Sequence, residues 1–371
     1  MNLGYNEYKL SDLLSYEQPT PYIVESTDYN DTYETPVLTA GKSFVLGYTN
    51  EENGIYNKLP VIIFDDFTTA SRYVNFPFKV KSSAMKILTP NTELVLPKYI
   101  YYRMQIIEFD HSTHKRYWIQ QYSKIKVKIP SLQEQERTVA KIEELFSELD
   151  NGVETLNKTK LQLEVYRQSV LKKAFERVEK YVLFGSITES RLGKMLDKEK
   201  NAGIFQPYLR NINVRWFSFD LSDLLEMKIK PEEKEKYSVS KGDLVICEGG
   251  EPGRCAVWEN NKTMYYQKAL HRVRFKDGSN PKFYMYYLWF AAQSGKLNPF
   301  FTGTGIKHLT GQSLAKIPVQ TATKDKQDSA VQEIEMNLSK CENLEKTIET
   351  ALQQAEAMRQ SILKKAFEGV L

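Results

Sequence analysis

Gln168-Ser169-Val170-Leu171-Lys172-Lys173-Ala174-Phe175-Glu176 recurs as Gln360-Ser361-Ile362-Leu363-Lys364-Lys365-Ala366-Phe367-Glu368, with a single exchange of one β-branched apolar side chain for another. Lys172 and Lys364 stand 192 residues apart in a chain of 371, and a long fixed period is read before any single element. Each copy ends a long charged segment of helical periodicity that follows a globular-looking block. Other landmarks recur in the same order: Pro97-Lys98-Tyr99-Ile100-Tyr101-Tyr102 with Pro281-Lys282-Phe283-Tyr284-Met285-Tyr286-Tyr287, Lys128-Ile129-Pro130 with Lys316-Ile317-Pro318, and loosely Val61 to Asp66 with Leu244 to Gly249. The offsets drift upward through 183, 184, 188 and 192, as small insertions after a duplication would produce. The chain reads as globule, helix, globule, helix, with boundaries 1–130, 131–180, 181–318 and 319–371.

The helical segments carry heptads. Ser131 with Glu134 three residues later has capping-box spacing. In 131–180 the d positions are Ile142, Leu149, Leu156, Leu163 and Val170, and the a positions are Val139, Phe146, Val153, Lys160, Arg167 and Ala174. In 325–368, Val331, Leu338, Glu345, Leu352, Arg359 and Ala366 take a, and Ile334, Cys341, Ile348, Ala355 and Ile362 take d. More than four heptads argue for a coiled coil. With a whole globule between them, two helices of about 45 residues, roughly 70 Å each, can pair antiparallel and hold the globules apart. From Pro130 to Lys172 is 42 residues and from Pro318 to Lys364 is 46, so the second arm is expected to be longer by four.

Length and charge bound the rest. A chain of 371 residues holds two or three domains with cores of their own. Net charge is +4, unevenly spread: lysines and arginines balance acids in 1–130, exceed them by seven in 181–318, and fall one and two short in the helical segments. That pattern suits a polyanion for the globules and a protein partner for the helices. Cys247, Cys255 and Cys341 are too few and scattered for a disulfide framework or a zinc site. No secretory signal opens the chain and no apolar run is long enough for a bilayer, so a cytoplasmic protein with no membrane partner is expected.

In the first globule, Tyr8 to Leu14 reads as a short helix, Pro60 to Phe64 as a strand, Asp65 to Arg72 as a polar loop, Phe76 to Leu88 as an alternating strand and Tyr99 to Ile107 as an amphipathic helix. Lys124 to Ile129 alternates and sets three lysines on one face. In the second, Gln206 to Asn213 reads as a donor-rich turn, Lys241 to Arg254 as a strand running into a Gly/Pro loop, Gln267 to Arg274 as alternating and Phe300 to Leu309 as a glycine loop with donors. Basic and hydroxyl side chains beside aromatics are what phosphate contact and base reading require. On that ground the candidates for contact with a polyanion, which the resemblance described below makes DNA, are Thr68, Thr69, Arg72, Lys79, Lys81 and Ser83 in the first globule and Arg210, Arg254, His271, Arg272, Lys307 and His308 in the second. The other reading of these residues is solvated strand faces.

No complete active site is visible. Phe301-Thr302-Gly303-Thr304-Gly305 fits the Phe-x-Gly-x-Gly pattern of methyl-donor loops, but no β-α-β unit surrounds it. Asn298-Pro299-Phe300-Phe301 resembles the amino-methyltransferase motif without its second proline. Asp220, Asp223 and Glu226 are too tightly spaced for a nuclease cluster, and His111 with His114 has no second ligand pair.

Ile63-Phe64-Asp65-Asp66-Phe67-Thr68-Thr69-Ala70-Ser71, Lys241-Gly242-Asp243-Leu244, Gly303-Thr304-Gly305-Ile306-Lys307-His308-Leu309, Ile129-Pro130 with Leu132-Gln133-Glu134-Gln135, and the repeated tails together resemble the specificity subunit of type I restriction-modification systems. The resemblance covers nearly the whole chain. It implies an α+β fold: two mixed α/β target-recognition domains, separated by two long helices that form an antiparallel coiled coil, in a pseudo-twofold repeat. It implies a non-catalytic subunit whose globules each read half of a bipartite site in double-stranded DNA. The coil would set the gap and dock two methyltransferase subunits, with restriction and motor subunits joining through the complex. S-adenosylmethionine would belong to the partner. One departure is visible: Pro318 is followed by Val319-Gln320-Thr321-Ala322-Thr323 rather than by a counterpart of Leu132 to Gln135, which puts identical docking by the two helices in question. Rival readings are a self-sufficient DNA methyltransferase or nuclease, which would modify DNA alone, and a coiled-coil scaffold, whose DNA binding would ignore salt and sequence.

Overall fold

The computed structural model describes residues 5–41, 43–111, 116–176, 180–197 and 201–371. By internal contact the chain divides into two units, residues 1–157 with 349–371 and residues 158–348. The divisions fall inside the long helices, because each globule buries apolar side chains against both of them.

In chain order the first unit contains β1 (Asn6–Lys9), α1 (Leu10–Leu13), β2 (Leu14–Glu17), β3 (Thr35–Leu38), β4 (Val45–Thr49), β5 (Val61–Asp65), β6 (Ser71–Val74), β7 (Lys79–Val80), β8 (Met85–Pro90), α2 (Pro97–Met104), α3 (Tyr117–Gln120), β9 (Lys126–Ile129) and the start of α4 (Leu132–Glu176). The second contains the end of α4, β10 (Tyr181–Leu183), α5 (Phe184–Ile187), β11 (Thr188–Leu192), β12 (Ile204–Leu209), β13 (Leu225–Ile229), β14 (Ser238–Val239), β15 (Leu244–Cys247), β16 (Cys255–Val257), β17 (Met264–Tyr266), β18 (Leu270–Phe275), α6 (Pro281–Gln293), α7 (Gly311–Ala315), β19 (Pro318–Gln320) and the start of α8 (Lys324–Glu368), whose last residues return to the first unit.

The same sheets are built twice. Strand order β2-β8-β5-β6 in the first unit matches β11-β18-β15-β16 in the second, β4-β3-β7 matches β13-β12-β17, and β1-β9 matches β10-β19. The central strands lack alternation because both faces are covered. Side chains of a strand alternate in direction: Ile62 and Phe64 enter a core with α2 and α4, while Val61 and Ile63 enter a core with β3 and β7. In the second unit Leu244 and Ile246 face the helices and Val245 and Cys247 the opposite core.

These faces correct the register of the repeat. A slip of one residue would turn every side chain to the wrong face, so Ile62 corresponds to Leu244 and Asp66 to Glu248, one residue off the sequence match. The Lys-Ile-Pro echo is also displaced. Leu10 N–H donates to Ile125 O and Phe184 N–H to Ile317 O, each at 2.9 Å, while Lys9 pairs with Lys126 and Leu183 with Pro318. Ile125 therefore corresponds to Ile317 at the same 192-residue offset as the tails, and no insertion separates them. The second arm is not longer: α4 and α8 are 45 residues each.

Three local expectations change as well. Phe76 to Leu88 is two strands, β7 and β8, broken by the turn at Ser82-Ser83-Ala84, and Phe78, Lys79 and Val80 are all buried. Gln206 to Leu209 belongs to β12, leaving a turn only at Asn211–Asn213. The helix near Tyr8 is the single turn α1, where the Asp12 carboxylate accepts the Lys9 N–H at 2.9 Å.

Within each unit the helices pair antiparallel. In the first, Arg359 of α8 bonds Asp150 of α4 and lies 4.9 Å over the Phe146 ring. In the second, Arg167 of α4 donates to Glu345 of α8 at 2.6 Å, Lys173 to Glu333 at 2.9 Å and Tyr166 to Asn337 at 3.1 Å. Ile142, Leu163, Val170, Ile334 and Ile348 are buried, and Leu149, Leu156, Leu352 and Ile362 are partly buried. The cation at a position Arg167 meets the anion at a position Glu345, a complementarity that opposes parallel or shifted pairings.

Each globule is seated on the helices by the same residues, and this seat was not legible beforehand. The Gln135 side chain accepts Leu96 N–H at 2.8 Å and donates to Leu94 O at 3.1 Å and Pro130 O at 3.0 Å. Gln327 accepts Asn280 N–H at 2.7 Å and donates to Ala322 O at 2.9 Å. Tyr99 packs edge-on against Phe367 and Phe283 against Phe175; Lys98 pairs with Glu143 and Lys282 with Glu335. The departure after Pro318 is thus partial: Gln327 stands where Gln135 stands, 192 residues on, while Lys324, Asp325 and Lys326 stand where Leu132, Gln133 and Glu134 do. The shared glutamine at the tail spacing was the available signal.

Candidate nucleic-acid interface

Each unit gathers three loops at one end of its β2-β8-β5-β6 or β11-β18-β15-β16 sheet, and one acidic residue ties them together. In the first unit Asp66 N–H donates to Ala84 O at 2.9 Å, Asp66 O accepts Tyr117 N–H at 2.8 Å, and Oδ1 accepts Trp118 N–H at 2.8 Å. Its Oδ2 lies 3.2 Å from Lys86 Nζ, with both side chains buried. In the second unit Glu248 N–H donates to Ala269 O at 2.9 Å, Glu248 O accepts Leu309 N–H at 2.7 Å, and the carboxylate lies 3.2 Å from His271 Nε2. An acid against a buried base therefore anchors both edges, buried Asp66 against lysine in one and partly buried Glu248 against histidine in the other. Burial pulls the His271 imidazole below its ordinary value, outweighing the attraction of Glu248.

At the first edge the Asp65 carboxylate accepts the N–H groups of Phe67 and Thr68 at 2.9 Å each, and Thr69 takes a left-handed φ of 58°. The turn presents Phe67 and Thr68 to solvent. His111 Nε2 lies 2.9 Å from Thr69 Oγ1 and donates to Thr68 O at 3.0 Å, so His111 braces the turn; His114 lies outside the described residues, as does Lys115. Lys81 and Ser83, in the adjacent turn, are exposed. Arg72 donates to Gly41 O at 3.2 Å.

At the second edge the loops are 248–254, 267–269 and 300–308. They border a cavity of about 500 Å³ lined by Asn211, Glu248, Gly250, Gln267, Lys268 and His308. Amide, carboxylate, ammonium and imidazole groups there offer donors and acceptors of the kind that read base edges. Residues 302–308 are exposed, including Lys307 and His308. Arg254 donates to Glu251 at 2.7 Å and to Asn211 O at 2.9 Å, so it holds the hairpin to the turn after β12, as Arg72 holds the other. Arg210 is bonded to Asp223 at 2.7 Å.

The structure removes three candidates from direct contact. Lys79 is buried, pairs with Glu51 at 2.7 Å and donates to Asn53 O. Burial pushes the Glu51 carboxyl upward, but Lys79 and the N–H groups of Ser26 and Glu25 hold it below its usual range. Arg272 is buried and donates to Ser238 O at 2.7 Å and Glu235 O at 3.2 Å. His271 is buried against Glu248 and donates to Leu309 O at 3.1 Å. Alternation in sequence suggests one face toward solvent, whereas β7 and β18 are covered on both. Among the face lysines, Lys126 and Lys128 are exposed and Lys126 pairs with Glu7 at 2.8 Å.

The glycines 303 and 305 lie in an exposed loop closed on itself by Thr302 and His308, with no strand-to-helix turn to hold a methyl donor. Asp223 is engaged by Arg210. Among the described residues no group of three or more His, Cys, Asp or Glu could hold a metal, and no helix is long and apolar enough to cross a membrane. Burial pushes the Cys247 thiol up to about 11, which leaves it un-ionised near neutral pH.

A family profile described as the type I restriction modification DNA specificity domain matches residues 2–165 and 178–354. The chain is 47% identical over 174 residues to the type I restriction enzyme EcoR124I/EcoR124II specificity subunit of Escherichia coli, an alignment covering 44% of this chain and 43% of that one. It is 26% identical over 269 residues to the EcoKI specificity subunit of Escherichia coli K12, covering 67% of this chain and 58% of the relative. These alignments thus span about half the length of each curated relative. The fold matches the HsdS subunit from Thermoanaerobacter tengcongensis with a TM-score of 0.60 at 15% identity, covering 99% of this chain and 97% of that one. It matches a chain from a study of complex assembly and conformational transition of the type I R-M system with a TM-score of 0.73 at 14% identity, covering 99% and 98%. Because the profile matches well over half of the chain, once in each half, the chain belongs to the family of type I restriction modification DNA specificity domains.

Proposed function

We propose that this chain is the DNA-specificity subunit of a type I restriction-modification complex. Each unit reads one half of a bipartite site in double-stranded DNA with its three-loop edge. The helix pair sets the gap and docks two methyltransferase subunits, through which restriction and motor subunits join. The chain itself is non-catalytic, and S-adenosylmethionine belongs to the methyltransferase. The observation that carries this reading is the duplication of one scaffold, seat and anchor with different loop chemistry at each edge, as two reading heads for two different half-sites require. Exposed Leu161 and Val165 on α4 and Met336 and Leu344 on α8 support a protein partner for the helices.

The test is single-molecule methylome sequencing of a host carrying the chain with its methyltransferase. A methylated motif of two short halves around an unspecified gap is expected. A continuous motif, or methylation by this chain alone, refutes the proposal. In size-exclusion chromatography the chain should shift to a complex holding two methyltransferase copies; a monomer that ignores the partner refutes the docking role.

A further inference from the structure

Among the large apolar side chains of the described residues, Ile306 has the greatest exposure, 73%. It sits at the tip of 302–308, in a loop built to keep it there. Thr302 and His308 exchange two backbone hydrogen bonds of 2.8 Å each, closing the loop. Gly303 takes φ 97°, and a Cβ at that position would lie 2.3 Å from Ile306 O, so only glycine lets the turn fold over the Ile306 carbonyl. At one end Leu309 is buried and its N–H is fixed on Glu248 O; at the other Phe301 packs on the core. The loop cannot easily fold its isoleucine back into the protein.

The surroundings select the occupant. Thr304 and Lys307 flank Ile306 and are exposed, and His308 leads to the polar cavity with Asn211, Gln267 and Lys268. The globule carries the chain's positive charge. An apolar side chain held out among donors and cations matches one feature of the DNA major groove, the thymine C5-methyl group, which is read by apolar contact while neighbouring groups are read by hydrogen bonds. At the first edge an apolar tip is offered by a different loop, the one after β5, where Phe67 has the Arg116 guanidinium 5.9 Å from its ring and is less free for such contact.

We propose that Ile306 is a specificity-determining residue of the second unit and reads the methyl group of one thymine in the half-site that this unit contacts. The inference rests on the proposed function, and its test separates the two. The full chain in complex with its methyltransferase is titrated against duplexes carrying the methylated motif, with each thymine replaced in turn by uracil, which lacks only the methyl. One replacement should weaken binding about four-fold, as loss of one buried methyl predicts. In Ile306→Ala, whose exposed position makes folding safe, affinity should fall by a similar factor and that one penalty should vanish, while penalties elsewhere persist. Lys307→Ala should weaken all duplexes alike. A motif with no thymine in either half, no position sensitive to uracil, or an uracil penalty unchanged in Ile306→Ala overturns the inference while the specificity role stands. A loss in Ile306→Ala with no uracil effect makes Ile306 a wedge between base pairs and also overturns it. Failure of the wild-type complex to prefer the motif over a scrambled duplex overturns the specificity role and this inference together.

Discussion

Replacing Gln135 by leucine tests the seat of the first unit. The glutamine is fully buried and serves three backbone groups, the Leu96 N–H and the Leu94 and Pro130 carbonyls. Leucine fills most of its volume but satisfies none of them. An unpaired buried backbone group costs about 1–3 kcal/mol. Leu94 and Leu96 are only partly buried, so water relieves part of their loss, and a total of about 3–4 kcal/mol follows from the lower part of that range. For a unit of this size each kcal/mol lowers the midpoint by about 2–4 °C, so Gln135→Leu should melt about 6–16 °C below wild type. Gln133→Leu, at an exposed site one turn-face away, should change stability by less than about 0.5 kcal/mol. The assay is thermal unfolding followed by tryptophan fluorescence. Trp118 is the tryptophan of the first unit, while Trp216, Trp258 and Trp289 lie in the second, so variants retaining one set or the other report the units separately. Gln327→Leu should produce the mirror result, lowering the midpoint of the second unit. A Gln135→Leu midpoint within about 2 °C of wild type, or an equal fall in both signals, would refute the claim that this side chain seats its own globule.

The remaining predictions concern binding, spacing and pH. Alanine at exposed Lys81 or Lys307 should lower DNA affinity at every sequence and reduce the salt slope by about one, whereas alanine at buried Lys79 or Arg272 should destabilise its unit; equal effects on binding and none on melting at Lys79 and Arg272 would contradict their placement. Deleting 150–156 with the facing residues 353–359 preserves the heptads and shortens each helix by about 10 Å. The methylated motif should keep its halves and lose about one to three base pairs of gap at 3.4 Å each; an unchanged gap at full activity would show that the helices are not the spacer. Because the imidazole of His271 is held below its ordinary value of 6.5, the unfolded chain takes up a proton before the folded one as pH falls. Stability of the second unit should therefore be full above about pH 6.5 and decline below it. His271→Gln should flatten that decline, and a decline of the same size in the variant would assign it to other groups.

The internal repeat, the four-part order and the heptads were legible in one dimension. Tail residues such as Lys172 and Lys364 and the apolar stripe through Ile142, Leu163, Val170, Ile334 and Ile348 depend on local periodicity, which sequence carries directly. The candidate site was legible only in its loops. Thr68, Lys81, Ser83, Lys307 and His308 stand at exposed or partly exposed positions there, because short polar stretches with glycine seldom pack inside. Lys79, His271 and Arg272 could not be sorted from them by alternation. Their strands are covered on both faces by chain segments distant in sequence, and a cation is hidden only when a partner such as Glu51 or the Ser238 carbonyl reaches it.

By itself the sequence determined that one unit occurs twice and that two long helices join the copies, since repetition and period are properties of residue order. Tertiary structure decided the register, moving the match of Ile125 onto Ile317 and equalising the two helices. It also decided that Gln135 and Gln327 are seats and that Asp66 and Glu248 anchor the loop edges. The physical reason is that each of these roles depends on partners distant in sequence, such as Leu96 for Gln135 and Asn280 for Gln327, and a hydrogen bond between buried groups leaves no periodic trace along the chain.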